Sequence, residues 1–98
     1  MKVTLDRVAF EQAVREHHGA VYATALSILR DEAAALDAVQ QTFLKLLAGA
    51  VSLDESADPA RSLRCTAARE ALMALRSARS RRRREESYAM QHPERFEE

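Results

Sequence analysis

The sequence predicts an all-α fold, a small bundle of three to four helices, and three observations support this prediction. The 98-residue chain is 47% apolar but contains few β-branched residues, which strands favour. Only two Gly and two Pro interrupt a composition dominated by Ala, Leu, Arg and Glu, which favour helices. Apolar residues recur at steps of three and four along three segments, as on one face of a helix.

The first segment is predicted to be helical from about Leu5 to Leu29. Thr4 or Asp6 is expected to cap its start. Gly19 lies inside the segment and costs about 1 kcal/mol relative to Ala there. We therefore expect a kink or break near residues 18–19, giving two helices end to end. The helical spacing is formed by Val8, Phe10, Val14, His17 or His18, Val21, Ala25 and Ile28.

The second segment is predicted to be a helix from Glu32 to Ala48. Asp31 is placed to cap its start, and Glu32 is favourable in the first turn, where the helix dipole is positive. Gly49 follows in the position of a left-handed C-cap. The apolar face is formed by Ala35, Leu36, Val39, Phe43, Leu46 and Leu47.

The third segment is predicted to be a helix from Pro59 to about Arg84. It follows a loop over residues 50–58, and Asp58-Pro59 is the pattern of an N-cap before a proline at the first helical position. Its apolar positions are Leu63, Thr66, Ala67, Ala71, Leu72 and Leu75. Beyond Leu75 the apolar pattern ends, so a helix there would project into solvent. We predict one domain over residues 1–86 and a flexible tail or linker start over 87–98.

The charges form blocks, although the formal net charge is zero. Residues 1–58 contain 5 basic and 9 acidic residues, a net of −4. Residues 59–84 contain 9 Arg and only Glu70, a net of +8, and residues 85–98 contain Arg95 and five Glu, a net of −4. The middle block is a candidate for binding a polyanion.

Several classes of protein find no support in the sequence. There is no run of 18 apolar residues and no N-terminal signal, so we expect neither a membrane span nor secretion. A single cysteine, Cys65, fits the reducing cytoplasm, and we expect it to be a small packing residue. The three His lack metal-ligand spacing, so no metal or other cofactor is expected. There is no Gly-rich phosphate loop and no nucleophile elbow, and we do not expect an enzyme.

The second helix carries a polar strip with apolar residues on either side. The strip consists of Asp37, Gln40, Gln41 and Lys45, and Leu36 and Leu47 flank it. Polar groups surrounded by exposed apolar ones suit a helix that docks on another helix. Periodicity alone nevertheless favours an ordinary solvated face here.

The third helix carries the 9 arginines of residues 59–84, which we call the basic block. Nucleic acid is the natural partner, because guanidinium groups that pair with phosphates release counterions. The alternative is a solvated helix end that Glu85 and Glu86 partly neutralise. No aromatic residue lies between Phe43 and Tyr88, so this region offers no stacking platform for single strands. The candidate contacts are Arg61, Arg64, Arg69, Arg76, Arg79, Arg81 and Arg82.

Two stretches carry a resemblance to a known family. Residues 31–46 read DEAAALDAVQQTFLKL, and residues 10–18 read FEQAVREHH, followed by Val21-Tyr22-Ala23. Both resemble region 2 of the extracytoplasmic-function (ECF) bacterial sigma factors, whose second run is close to D-E-A-x-A-E-D-A-V-Q-E-T-F-L-x-L-W. Pro59-Ala60-Arg61 and residues 71–76 match the third helix of the family in outline. The resemblance covers about residues 8–84.

The resemblance implies a helical bundle of the sigma region 2 type that binds core RNA polymerase and promoter DNA in the bacterial cytoplasm. The second helix would dock on the polymerase clamp coiled coil through Leu36, Asp37, Gln40, Gln41 and Leu47. The third helix and the loop over residues 50–58 would contact the minus-ten element, with Arg61, Arg64, Arg69 and Arg76 as contacts. An anti-sigma factor is a further candidate partner.

The chain departs from the family pattern mainly on the DNA side. Ser62 stands where the family usually has Trp, Arg69 where it has Asn, and Met73 where it has Asp; Gln41 replaces a common acidic residue. Three hypotheses follow. The chain is a sigma region 2 domain, or a sigma-like regulator that occupies the clamp site without melting DNA, or a helical interaction module unrelated to transcription.

Overall fold

The protein is an all-α bundle of three helices, as the sequence predicts. The computed structural model describes residues 6–51 and 58–95. Within these ranges the elements are α1 (Arg7–Leu29), α2 (Glu32–Leu47), α3 (Pro59–Gln91) and a 3-10 turn (Pro93–Arg95), with no strand. Each of the three α-helices packs against the other two.

Each helix begins at an aspartate cap that the sequence predicts. Asp6, Asp31 and Asp58 precede α1, α2 and α3, and Pro59 occupies the first turn of α3. Such a cap stabilises a helix by about 1 kcal/mol, because it satisfies an amide that has no partner inside the helix. The three carboxylates accept hydrogen bonds from the backbone amides of Ala9, Ala33 and Arg61, at 2.7, 3.0 and 3.1 Å. Thr4, the other predicted cap, lies outside the described residues.

The predicted break near Gly19 is wrong, since α1 is continuous from Arg7 to Leu29. Residues on both sides of Gly19 are anchored in the core: Ala13 before it, and Val21 and Ala25 after it. Their packing outweighs the cost of about 1 kcal/mol for glycine in a helix. The helix ends at Leu29, as predicted, and the next residue, Arg30, has a left-handed φ of 54°.

The second helix ends close to the predicted position. Its last residue is Leu47, and Gly49 follows with a φ of 82°, a conformation that glycine adopts without strain. The predicted left-handed glycine at this end is confirmed. The loop after it was expected to span residues 50–58, and residues 52–57 of that loop lie outside the described residues.

The third helix is longer than predicted, because it ends at Gln91 and not near Arg84. No glycine or proline lies between Pro59 and Pro93, so nothing in the sequence stops the helix earlier. At its end the Tyr88 and His92 rings lie 4.3 Å apart, and the Arg95 guanidinium lies 5.9 Å from the Tyr88 ring centre. The division into a domain over 1–86 and a tail over 87–98 stays a prediction.

The core is small and rich in alanine. One cluster gathers Ala13, Val21, Val39, Phe43, Leu46, Leu63 and Ala67, and a second gathers Ala25, Ala35, Ala38 and Ala71. Four positions of the predicted apolar faces are exposed: Val8 by 73%, Leu72 by 43%, and Leu36 and Leu47, which also flank the polar strip, by 49% and 54%. Val8 lies one residue into α1, before the first buried position, and Leu72 lies beyond the apolar arc of α3. None of the described helices is both long enough and apolar enough to cross a membrane.

Candidate functional surfaces

The outward face of α2 presents all five side chains of the predicted docking site to solvent. Asp37, Gln40 and Gln41 are exposed, and Leu36 and Leu47 are 49% and 54% exposed. The opposite face of the same helix is buried, from Ala35 to Leu46. The helix therefore packs its small apolar residues, Phe43 and Leu46 in the core and leaves Leu36 and Leu47 exposed to solvent.

Leu44 also belongs to this outward face, although the sequence analysis did not include it. It is 54% exposed. It follows Gln40 by four residues and precedes Leu47 by three, so the three side chains share one side of the helix. A helical wheel centred on the polar strip identifies it from the sequence. We name Leu36, Asp37, Gln40, Gln41, Leu44 and Leu47 the docking face.

Lys45, predicted as part of the polar strip, turns away from the docking face. Its Nζ forms an ion pair with Oε1 of Glu70 on α3. The Glu70 side chain is only 10% exposed. The one carboxylate of the basic block is therefore directed toward α2.

The arginines of α3 form a stripe along its solvent side. At about 100° per residue, seven of them fall within an arc of about 140°. This arginine stripe consists of Arg61, Arg64, Arg69, Arg76, Arg79, Arg82 and Arg83, and all seven are exposed. At 1.5 Å per residue, it extends over about 33 Å from its first to its last residue. Among the described residues, none of the seven forms a salt bridge with a carboxylate.

Two arginines of the basic block point elsewhere. Arg81 and Arg84 are exposed but lie on the side of the helix that continues its buried face beyond the bundle. Arg81 is one of the predicted DNA contacts, and the helix period separates it from the other six. Arg83 was not among the predicted contacts, yet it falls on the stripe four residues after Arg79.

A cavity of about 360 Å³ lies between the end of α2 and the first turns of α3. Its lining combines two apolar residues with two cationic and three small polar side chains: Ala50, Val51, Arg61, Arg69, Ser62, Cys65 and Thr66. Cys65 is exposed here, so the predicted packing role is wrong. Its position on α3 lies within the arc of the stripe, opposite the buried Leu63 and Ala67. Ser62 and Arg69, the two main departures from the ECF pattern, line the same cavity.

The two histidines of α1 have different neighbours. The His18 ring stacks with Phe43 and with Tyr22, at centroid distances of 6.5 and 6.4 Å. The His17 side chain is 18% exposed and lies 3.8 Å from the Glu16 carboxylate. In the described part of the chain, no three His, Cys, Asp or Glu side chains gather as a metal site would require.

Comparison with known proteins identifies one match. Residues 13–82 match the Sigma-70 region 2 protein family. The matched segment covers the docking face and the stripe up to Arg82. No curated protein and no solved structure matched the chain significantly.

Proposed function

The chain belongs to the Sigma-70 region 2 family, and from this premise we propose that it acts as an ECF-type sigma region 2 domain. Membership implies binding to RNA polymerase and recognition of the minus-ten promoter element in general. The family is regulatory and not enzymatic. The proposal adds the ECF subtype, the bacterial cytoplasm as the place of action and the residues that make each contact.

The docking face of α2 is proposed to bind the clamp coiled coil of the polymerase. The observation that carries this assignment is the exposure of three leucines, Leu36, Leu44 and Leu47, around one carboxylate and two amides. Leucines can bury apolar area against a partner helix, worth about 25 cal/mol per Å². The carboxylate and amides give hydrogen bonds that fix the register.

The arginine stripe of α3 is proposed to bind the phosphate backbone of promoter DNA. Its length of about 33 Å is close to one turn of B-DNA, about 34 Å. Each phosphate that it pairs with releases counterions, so affinity should fall steeply with salt. The cavity beside Arg61 and Arg69 opens on the same side of the helix, which supports DNA contact near the α2–α3 connection.

The second candidate function is a regulator that occupies the clamp site without melting DNA. Ser62 and Arg69 support it, because they replace the Trp and Asn of the ECF pattern in the cavity region. The absence of aromatic residues between Phe43 and Tyr88 supports it further, since separated bases are commonly held by stacking. Run-off transcription with core enzyme distinguishes the two, because a sigma factor yields transcript and a regulator only competes with a genuine sigma factor.

The polymerase assignment is tested by a pull-down with purified core enzyme. The double variant Asp37→Ala, Gln40→Ala should lose binding and keep the helical circular dichroism spectrum. The matched control is Gln12→Ala, Glu16→Ala, which removes an amide and a carboxylate that pair at 3.1 Å on the exposed side of α1. The control should bind like the parent. Undiminished binding by the α2 variant would refute the docking face.

An anti-sigma factor is the third partner that we propose. A protein that binds the docking face would block polymerase binding by direct competition. A candidate that leaves polymerase binding of the chain unchanged is not such a partner.

A further inference from the structure

An ion pair between α2 and α3 lies between the two proposed surfaces. It joins Lys45, whose side chain is 43% exposed, to Glu70, whose side chain is 10% exposed. Lys45 follows Gln41 of the docking face by one helical turn. Glu70 is the direct neighbour of Arg69 in the arginine stripe. Each partner of the pair is thus adjacent to one surface.

This pair is the one salt bridge between two of the three α-helices in the part of the chain that the structure describes. The other salt bridges lie within α1 or between His92 and Glu94 at the end of α3. The side-chain hydrogen bonds lie within single helices or at their caps. The stack of the His18 ring of α1 on Phe43 of α2 also joins two helices, but it carries no ion pair.

The apolar contacts come largely from small side chains. Six alanines are buried between the helices: Ala13, Ala25, Ala35, Ala38, Ala67 and Ala71. The largest fully buried side chains are Leu63, Val21 and Thr42. Flat alanine surfaces interdigitate little, and unique packing depends on interdigitation. A helix on such a surface can rotate or slide at low cost, whereas an ion pair between two helices favours the arrangement that brings the opposite charges together.

We propose that Lys45 and Glu70 form a positioning pair, which holds the arginine stripe at a fixed angle to the docking face. This inference rests on the proposed function of the two surfaces. A chain that binds polymerase and DNA together gains from both contacts only when its geometry lets both engage at once. The pair therefore contributes to the complex with both partners and little to the complex with either alone.

The angle between the helices is tested by a distance measurement between spin labels. Cysteines replace the exposed Ala33 on α2 and Ser80 on α3, in a Cys65→Ser background. The parent should give one narrow distance distribution. Lys45→Met, Glu70→Leu should broaden or shift it without lowering the thermal midpoint, because apolar residues of similar size can replace a buried ion pair. The charge-swapped Lys45→Glu, Glu70→Lys should restore the narrow distribution.

Two outcomes of the distance measurement overturn the proposal. A narrow, unshifted distribution in the Met/Leu variant would show that packing alone fixes the angle. A broad distribution in the charge-swapped variant, with helicity retained, would trace the change to side-chain shape and not to the ion pair.

The functional consequence is tested with core polymerase and a random-sequence DNA duplex. The Met/Leu variant should bind each partner alone within about twofold of the parent. We expect the parent chain to raise the affinity of core polymerase for DNA. With the Met/Leu variant this increase should be about tenfold smaller, and the charge-swapped variant should restore it. An undiminished gain in the Met/Leu variant would contradict the coupling. If the parent does not bind polymerase, the proposed function fails, while the spin-label distances still decide whether the pair sets the angle.

Discussion

The docking face of α2 and the arginine stripe of α3 are both exposed helix faces, but they are built from opposite chemistry. The docking face has three leucines, one carboxylate and two amides. The stripe has seven guanidinium groups over about 33 Å, and within the described residues none of them has a carboxylate partner. One surface is compact and mostly uncharged, and the other is long and cationic.

The two surfaces are suited to different kinds of partner. Apolar burial and aligned hydrogen bonds act over a few ångströms, so they select a partner by shape and are barely sensitive to salt. Charge acts over about 10 Å at 0.1 M salt, binds any phosphate backbone and weakens as salt rises. These properties support the proposal that the docking face binds a protein and that the stripe binds the DNA backbone.

The largest effect is expected from a charge placed in the docking face. Leu44→Asp should lower polymerase affinity by about 100-fold, because the carboxylate would be desolvated at the centre of the interface. Fluorescence anisotropy with labelled chain and core enzyme measures it. Val8→Asp is the matched control on α1, since Val8 is also exposed, and it should leave affinity unchanged. Equal losses of affinity in the two variants would show that the docking face matters no more for polymerase binding than the exposed side of α1.

The second-largest effect is expected on DNA affinity when arginines are removed from the stripe. Two pairs of arginines in the same part of α3 provide the comparison. Arg79→Gln, Arg83→Gln removes two charges from the stripe, and Arg81→Gln, Arg84→Gln removes two from the other side. The first should lower duplex affinity by about 50-fold at 0.1 M salt and reduce the slope of log affinity against log salt by about 2. The second should change both much less. Similar losses would mean that net charge, and not the stripe, governs binding.

The smallest expected effects are on stability, and they come from substitutions outside both binding surfaces. An added Cβ at Gly19 meets no atom within 4 Å, so Gly19→Ala should raise the free energy of unfolding by about 0.5–1 kcal/mol. Gly49 has a φ of 82°, so Gly49→Ala should lower it by about 1 kcal/mol. Urea denaturation measures both. Gly19→Ala should leave polymerase and DNA affinity as in the parent, and a loss of either would place α1 in a binding surface.

Much of the fold follows from signals local in the sequence. The aspartates Asp6, Asp31 and Asp58 define the helix starts, because a cap depends only on the next three residues. Gly49 marks the end of α2 for the same reason. The polar strip of α2 and most of the arginine stripe also follow from the helix period alone.

The remaining features depend on how the helices pack. The cost of Gly19 is local, but the contacts of Val21 and Ala25 that offset it are tertiary, so a break was predicted where none exists. The sequence did not show that the Lys45 side chain turns away from the polar strip, because its ion-pair partner Glu70 lies 25 residues away in the sequence. The exposure of Leu72 depends likewise on which arc of α3 meets the bundle.

The account depends most on the docking face of α2, and site-specific photocrosslinking tests it most directly. A photoreactive phenylalanine derivative replaces Leu47 in one variant and Val8 in the other, both exposed. Each is mixed with core RNA polymerase and irradiated, and the crosslinked peptide is identified by mass spectrometry. We predict a crosslink to the clamp coiled coil from position 47 and none from position 8. A stable polymerase complex with no clamp crosslink from position 47, or with equal crosslinks from both positions, would contradict the account.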